Sequence, residues 1–224
     1  MDSVVIVSGG MDSVTLLHYL IKQEKRDLAV MTFQYGQKHS KEIECARAQV
    51  ADFGIKAHML VDLRATQAIF GTSALVNTDI TIPDMKEVEG DNQPATYVPN
   101  RNMLFLAYAV AYAESLKVDR VFYGAQAHDL YGYWDTTPEF LERLNSVYAL
   151  NRKDPVRIEA PFVRYSKADV LRAGLALGVD YAQTWSCYAG QEVACGRCPT
   201  CAERLKAFKE VGMVDPITYA RNSD

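Results

Sequence analysis

Val4-Val5-Ile6-Val7-Ser8-Gly9-Gly10-Met11-Asp12-Ser13-Val14 is the stretch that decides the fold. A β-branched run stops at a hydroxyl and two glycines, and helical spacing begins at once, with Leu16, Leu17, Leu20 and Ile21 recurring on one face. The reading is strand, tight turn, helix. Backbone N–H groups in such a turn point outward at the positive end of the helix, so Ser8, Gly9, Gly10, Asp12 and Ser13 form a cradle for phosphate. The plainer alternative is a structural turn capped by Asp12 or Ser13, and Asp12 suits a Mg2+ ligand as well as a cap. No Gly-Lys-Ser or Gly-Lys-Thr closes the loop and the third glycine of a dinucleotide fingerprint is missing, so neither of those phosphate motifs applies.

Outward from this turn the chain keeps a regular rhythm. Leu28–Phe33 reads as a second strand and Ala57–Val61 as a third, with a helix over Ser40–Phe53 between them carrying Ile43, Ala46, Val50 and Phe53 on one face. Arg64–Thr96 breaks the pattern with Gly71, Pro83, Gly90, Pro94 and a charged stretch, and is expected to be an insertion or a mobile lid. A helix over Pro99–Leu116, a strand at Arg120–Gly124, a polar loop over Ala125–Thr137 and a helix opened by Pro138 follow. The last pair is a strand near Arg157–Ala160 and a helix begun by the capping-box-like Ser166-Lys167-Ala168-Asp169 and running through Leu177. Strands alternating with helices need right-handed crossovers, so the fold class is α/β with a doubly wound parallel sheet and ligands at the carboxyl ends of its strands. Residues 1–180 are expected to form this nucleotide-binding domain and residues 181–224 a small appended segment.

The balance of charge points to a small substrate. At 49% apolar and 23% charged the chain has ordinary globular composition, and a net charge of -4 is the opposite of what a phosphate-gripping nucleic-acid surface requires. No direct nucleic-acid contact is expected. The start of the sequence has no basic leader and only four consecutive apolar residues, so neither a signal peptide nor a membrane span is expected and the cytoplasm is the expected compartment. Cys187, Cys195, Cys198 and Cys201 cluster in two overlapping CxxC steps plus one upstream cysteine, spacing that suits a closed, structural Zn2+ site; an iron–sulfur cluster is the rival. Cys45, on the apolar face of its helix, reads as core.

The opening loop resembles the PP-loop of ATP pyrophosphatases, whose SGGxDS pattern is matched at every fixed position by Ser8–Ser13. Between that loop and the cysteines stand Tyr35-Gly36-Gln37-Lys38-His39, Tyr97-Val98-Pro99-Asn100-Arg101-Asn102, Pro138-Glu139-Phe140, Ser166-Lys167-Ala168 and Thr184-Trp185-Ser186-Cys187-Tyr188. Taken together, these blocks closely resemble the 7-cyano-7-deazaguanine synthase (QueC) family, from Val4 to about Tyr219. The resemblance implies an adenine nucleotide α-hydrolase-like fold, structural zinc and a homodimer. It also implies conversion of 7-carboxy-7-deazaguanine, ammonia and ATP into the nitrile through an adenylated carboxylate and an amide. Candidate catalytic residues are Asp12, Lys38, Arg101 and Lys167, the cations being suited to developing phosphate charge. Tyr35 joins the loop as an ATP-binding candidate, and Tyr97, Asp129, Gly132, Tyr133, Asp135 and Glu139 are the substrate-binding candidates. His39 is open between moving a proton and starting a helix.

The chain departs from the family pattern around its substrate segment. Gln126 stands in place of Asn, Tyr131 of Ser, Trp134 of Pro, and Thr136-Thr137 of Cys-Arg; Asn100 stands where Gly is usual. Loss of an arginine fork beside an anionic substrate is not conservative. A divergent enzyme stopping at the amide, 7-amido-7-deazaguanine, for DNA modification is therefore one alternative. A PP-loop enzyme acting on tRNA and a zinc-stapled binding module without turnover are the others.

Overall fold

The apolar runs become strands in the order they are read. β1 (Ser3–Ile6), α1 (Met11–Lys22), β2 (Leu28–Gln34), α2 (Lys41–Asp52) and β3 (His58–Asp62) come first. Then follow the short α3 (Met85–Val88), α4 (Arg101–Leu116), β4 (Arg120–Phe122), α5 (Pro138–Tyr148), β5 (Arg157–Glu159), α6 (Lys167–Ala176) and α7 (Pro199–Val211). The structure, a computed structural model, describes residues 1–91, 93–127, 133–189 and 192–220. Its five strands are all parallel, in the order β3-β2-β1-β4-β5, with Val4 of β1 registered against Ala29 on one side and Val121 on the other.

Alternation along the strands divides the interior in two. Val4, Ala29, Met31 and Val121 pack with Leu106 and Ala109 of α4 and Phe140 and Leu144 of α5. Val5, Val30 and Phe122 face the other way, onto Leu16 and Leu17 of α1, Val50 of α2 and Val170 of α6. Both sheet faces are thus covered by helices, which is why the strands read as continuous apolar runs. Because β2 and β3 lie on one side of β1 and β4 and β5 on the other, the direction of winding reverses between β1 and β4. The crevice at their carboxyl ends is where such a sheet takes ligands.

Local signals hold where they were read. Thr137 Oγ1 accepts from Phe140 N at 3.1 Å ahead of Pro138 at the first turn of α5. Ser166 Oγ accepts from Asp169 N and Asp169 Oδ2 from Ser166 N, both at 3.2 Å, so Asp closes this capping box as Glu usually does. The Arg64–Thr96 segment holds a 3-10 turn over Arg64–Phe70 and α3, and it buries Phe70, Leu75 and Val76 against the α4 side of the sheet. Its Met85 N also donates to Arg197 O at 3.1 Å. The segment beyond residue 180 is joined closely to the rest: Ala207 and Phe208 of α7 pack with Met11 and Val14 of α1 and Leu171 of α6. Arg204, fully buried, donates to both oxygens of Asp215 at 2.7 and 2.9 Å, to Thr184 Oγ1 at 2.7 Å and to Tyr181 O at 2.9 Å. Among the described residues no helix is long and apolar enough to cross a membrane.

Candidate active site

Gly9 explains the shape of the phosphate loop. Its φ is +96°, and a Cβ there would stand 1.9 Å from the carbonyl oxygen of Glu42, so only glycine lets the turn lie on α2. Gly124, at the end of β4, brings its backbone against α1; a Cβ would come 3.2 Å from Ser13 N. Ser13 Oγ accepts from Ser8 N and Gly9 N at 3.1 and 3.2 Å, and Ser8 Oγ accepts from Gly10 N at 3.2 Å. The hydroxyls therefore hold the first half of the turn in shape. The N–H groups of Met11, Asp12 and Ser13, in the first turn of α1, have no partner among the described residues and are available to donate to an anion. Gly10 is the N-cap and no side chain caps it, so the capping role considered for Asp12 or Ser13 is not what their side chains do.

Asp12 instead reaches across to α6. Lys167 Nζ lies 2.6 Å from Asp12 Oδ2, and both side chains are largely buried. The second carboxylate oxygen, Asp12 Oδ1, is buried without a partner. Both residues line a cavity of about 240 Å3 at the mouth of β1 and β4, together with Ser8, Gly10, Ser13 and Tyr35. Three further buried polar atoms on its wall are also unpartnered: His39 Nδ1, Tyr123 Oη and Gln126 Oε1. Orphaned polar atoms are costly in a folded interior, and their concentration on one wall marks a place for a polar ligand.

The expected site residues divide by position. Arg101, at the start of α4, lines the cavity; its Nη1 donates to Tyr35 Oη at 3.3 Å and its guanidinium lies 5.8 Å from the Tyr35 ring centre. Tyr133 lines it too, sharing a 2.8 Å hydrogen bond with Thr96 Oγ1, and Tyr97 stacks on Tyr133 with ring centres 6.0 Å apart. Asp135 is buried beside Asn102, and burial pushes its carboxyl above the usual range against the pull of Arg101. Lys38 stands outside the cavity with Nζ donating to Ile80 O at 2.6 Å. Glu139 is exposed on α5, 2.6 Å from Arg143. Asp129 and Gly132 fall outside the described residues.

Other wall residues lie outside the candidate catalytic and binding set read from the sequence. Glu42, three residues after His39, puts Oε2 3.8 Å from His39 Nε2, and burial holds His39 below the ordinary imidazole value, favouring the neutral ring. The spacing of His39 and Glu42 is the only hint of this pair in the sequence. Tyr123 follows a strand in an apolar context and carries no motif, whereas Gln126 is the residue standing where the family pattern has Asn; the crossover brings both opposite the loop. Trp185 N donates to Gly9 O at 3.1 Å, and the Lys41 ammonium lies 4.0 Å from the Trp185 ring centre.

Behind Trp185 the four cysteine sulfurs of Cys187, Cys195, Cys198 and Cys201 all lie within 4.8 Å of one another. Sulfurs around a single tetrahedral ion at about 2.3 Å would stand about 3.8 Å apart. Cys195 and Cys201 are 3.9 Å apart, so the donor set fits one such ion. Backbone N–H groups of Cys195 and Cys198 donate to the sulfurs of Cys187 and Cys195, each at 3.3 Å, the outer contacts that orient thiolates.

A family profile described as queuosine biosynthesis protein QueC matches residues 2–212. The chain belongs to the QueC family. Among curated relatives, the 7-cyano-7-deazaguanine synthase of Chromohalobacter salexigens is 46% identical over 218 residues, covering 97% of this chain and 86% of that one. The protein of the same name from Hahella chejuensis is 45% identical over 97% of this chain and 92% of its own length. Among solved structures, NMN synthetase from Francisella tularensis superposes with a TM-score of 0.51 over 95% of this chain and 73% of that one, at 15% identity, a likeness of fold.

One departure from the QueC pattern has a direct physical reason. Asn100 holds φ +52°, the left-handed conformation that its family counterpart glycine adopts freely and that asparagine tolerates best among other residues. Another is accommodated locally: Thr137 supplies the N-cap of α5, and Thr136 lines the cavity.

Proposed function

We propose that this QueC-family chain is an ATP-dependent C–N ligase that converts 7-carboxy-7-deazaguanine and ammonia into 7-cyano-7-deazaguanine. The observation that carries the reading is the meeting of the Ser8–Ser13 loop, the Asp12–Lys167 pair and the unpartnered polar atoms in one cavity at the sheet's switch point. A carboxylate is a poor electrophile. Attack of its oxygen on the α-phosphorus of ATP forms an O–P bond and expels pyrophosphate, leaving an acyl-adenylate. Ammonia then forms the C–N bond as the C–O bond to AMP breaks, and a proton leaves the nitrogen. A second adenylation, on the amide oxygen, permits loss of AMP and the remaining N–H protons to give the nitrile.

The residues take roles that follow from their positions. Ser8, Gly9, Gly10 and Ser13 shape the loop, and the free N–H groups of Met11, Asp12 and Ser13 hold the pyrophosphate. Lys167 and Arg101 oppose phosphate charge, and Lys38 would join them only by releasing the Ile80 carbonyl. Tyr133 on the cavity wall faces the purine-like ring, with Tyr97 stacked on it and the buried Asp135 supporting it from outside the cavity, and Glu139 reaches the site only on leaving Arg143. The unpartnered Asp12 Oδ1 fits a Mg2+ ligand, and that ion would supply positive charge at the phosphates. The cysteine set is assigned to zinc, which would supply structure, since four thiolates leave no open coordination position. A nucleotide-binding domain over residues 1–180 with a metal-stapled segment over 181–224, a homodimer and a cytoplasmic location complete the proposal.

Mass analysis of products from 7-carboxy-7-deazaguanine, ATP and ammonium tests it. The nitrile is the expected end product, with AMP and pyrophosphate released, and Asp12→Ala should lose turnover by at least about a hundredfold. Amide as the end product would keep the adenylation and replace the endpoint; no acid-dependent AMP would remove the reading.

A further inference from the structure

A second, smaller chamber adjoins the main cavity. It has a volume of about 20 Å3 and lies between the loop after β4, the start of α6 and one face of α7. Glu203, Lys206, Ala207 and Glu210 line it at i, i+3, i+4 and i+7, so a single helical stripe makes its outer wall. Gln126, Lys167 and Glu203 line both spaces and form the partition between them. A volume of roughly 10–15 Å3 suffices for one water-sized molecule, so this chamber takes a single small guest.

Its chemistry selects that guest. Gln126 is 3% exposed, and its Oε1 has no hydrogen-bond partner, an acceptor waiting for an N–H or O–H donor. Glu203, 8% exposed, adds a carboxylate at the same partition. At the outer mouth Lys206 and Glu210 face each other at 3.8 Å across an exposed surface. At the inner end stands the Lys167 ammonium, engaged with Asp12.

We propose that this chamber binds ammonium and delivers ammonia to the main cavity, an inference that rests on the proposed ligase reaction. Gln126 Oε1 and the Glu203 carboxylate accept its N–H bonds. The Lys167 charge at the inner end disfavours a second cation, so the ion gives one proton to the Glu203 carboxylate and crosses the partition as neutral ammonia. The balance is one ammonium plus one carboxylate giving one ammonia plus one carboxylic acid. Among the described residues, Lys206, Lys167, Glu203 and Glu210 are the charged groups lining the chamber.

Two measurements on the full-length protein separate this inference from the reaction it serves. Exchange of labelled pyrophosphate into ATP with 7-carboxy-7-deazaguanine and no ammonium reports adenylation alone; amide formation against ammonium concentration reports the chamber. Glu203→Gln and Gln126→Leu should each raise KM for ammonium about tenfold or more, a change at least several times larger than any they make in exchange or in the KM for ATP. Should one variant fail to fold, the other carries the test. Methylamine, one carbon too large for the chamber, should not replace ammonium in the unaltered protein. Wild-type KM for ammonium in the variants, an equal fall in every constant, or ready use of methylamine would overturn the chamber's role. Absent exchange in the unaltered protein would remove the ligase reading and this inference with it.

Discussion

Asp12 and Lys167 are separated by most of the chain and meet at 2.6 Å, and the consequence of cutting that contact differs from each side. Lys167→Ala leaves a largely buried carboxylate with no partner on either oxygen, a change that costs about 1–3 kcal/mol. Lower thermal stability together with at least tenfold slower pyrophosphate exchange is the expected result, checked by a melting curve and the exchange assay on one preparation. Gly9→Ala tests the loop itself. With φ +96° and Glu42 O 1.9 Å from the added carbon, the turn must leave α2, and the variant should be both destabilised by about 1–3 kcal/mol and unable to bind ATP in a calorimetric titration. The loop residues were legible because strand, glycines and helix are contiguous. Gln126 was legible as a changed position of the substrate segment, but Tyr123 and Glu203 were not, because nothing local distinguishes a polar residue that ends up on a cavity wall from one that meets solvent.

At the level of elements, α6 is aimed by its first turn. The reciprocal Ser166–Asp169 bonds fix where the helix begins, and Lys167 is its first residue. Ser166→Ala should cost about 1 kcal/mol by denaturant unfolding, and it should weaken ATP binding as the lysine loses its aim. Ser166→Thr, which keeps the oxygen, should restore both. This start was readable from four residues, as were the strands β1, β2 and β3, whose apolar runs are bounded by polar or glycine residues. α3, with four residues, is shorter than any hydrophobic period can declare. The packing of the Arg64–Thr96 segment was equally hidden, since Phe70, Leu75 and Val76 are buried by long-range contacts that its irregular backbone gives no period to reveal.

Across the whole molecule, burial leaves a mark on stability against acid. His18, His39 and His58 are all held below the ordinary imidazole value, desolvation being the first cause in each. The unfolded chain therefore takes up protons at a higher pH than the folded one, so stability is intact above about pH 6.5 and falls as pH drops from there toward the folded-state values. Urea midpoints at about pH 7.5 and 5.5 should show the loss, and His18→Gln should reduce it; equal midpoints would contradict the assignment.

The bond from Trp185 N to Gly9 O ties the lead-in to the four cysteines directly onto the turn proposed to hold ATP. Metal occupancy and nucleotide grip are then two readings of one mechanical state. Protein stripped by a chelator should show weaker ATP affinity before any global unfolding is seen, and zinc restored to the same sample should bring that affinity back. A shortage of metal would thus silence the enzyme through its nucleotide, far from any chemistry the metal itself performs.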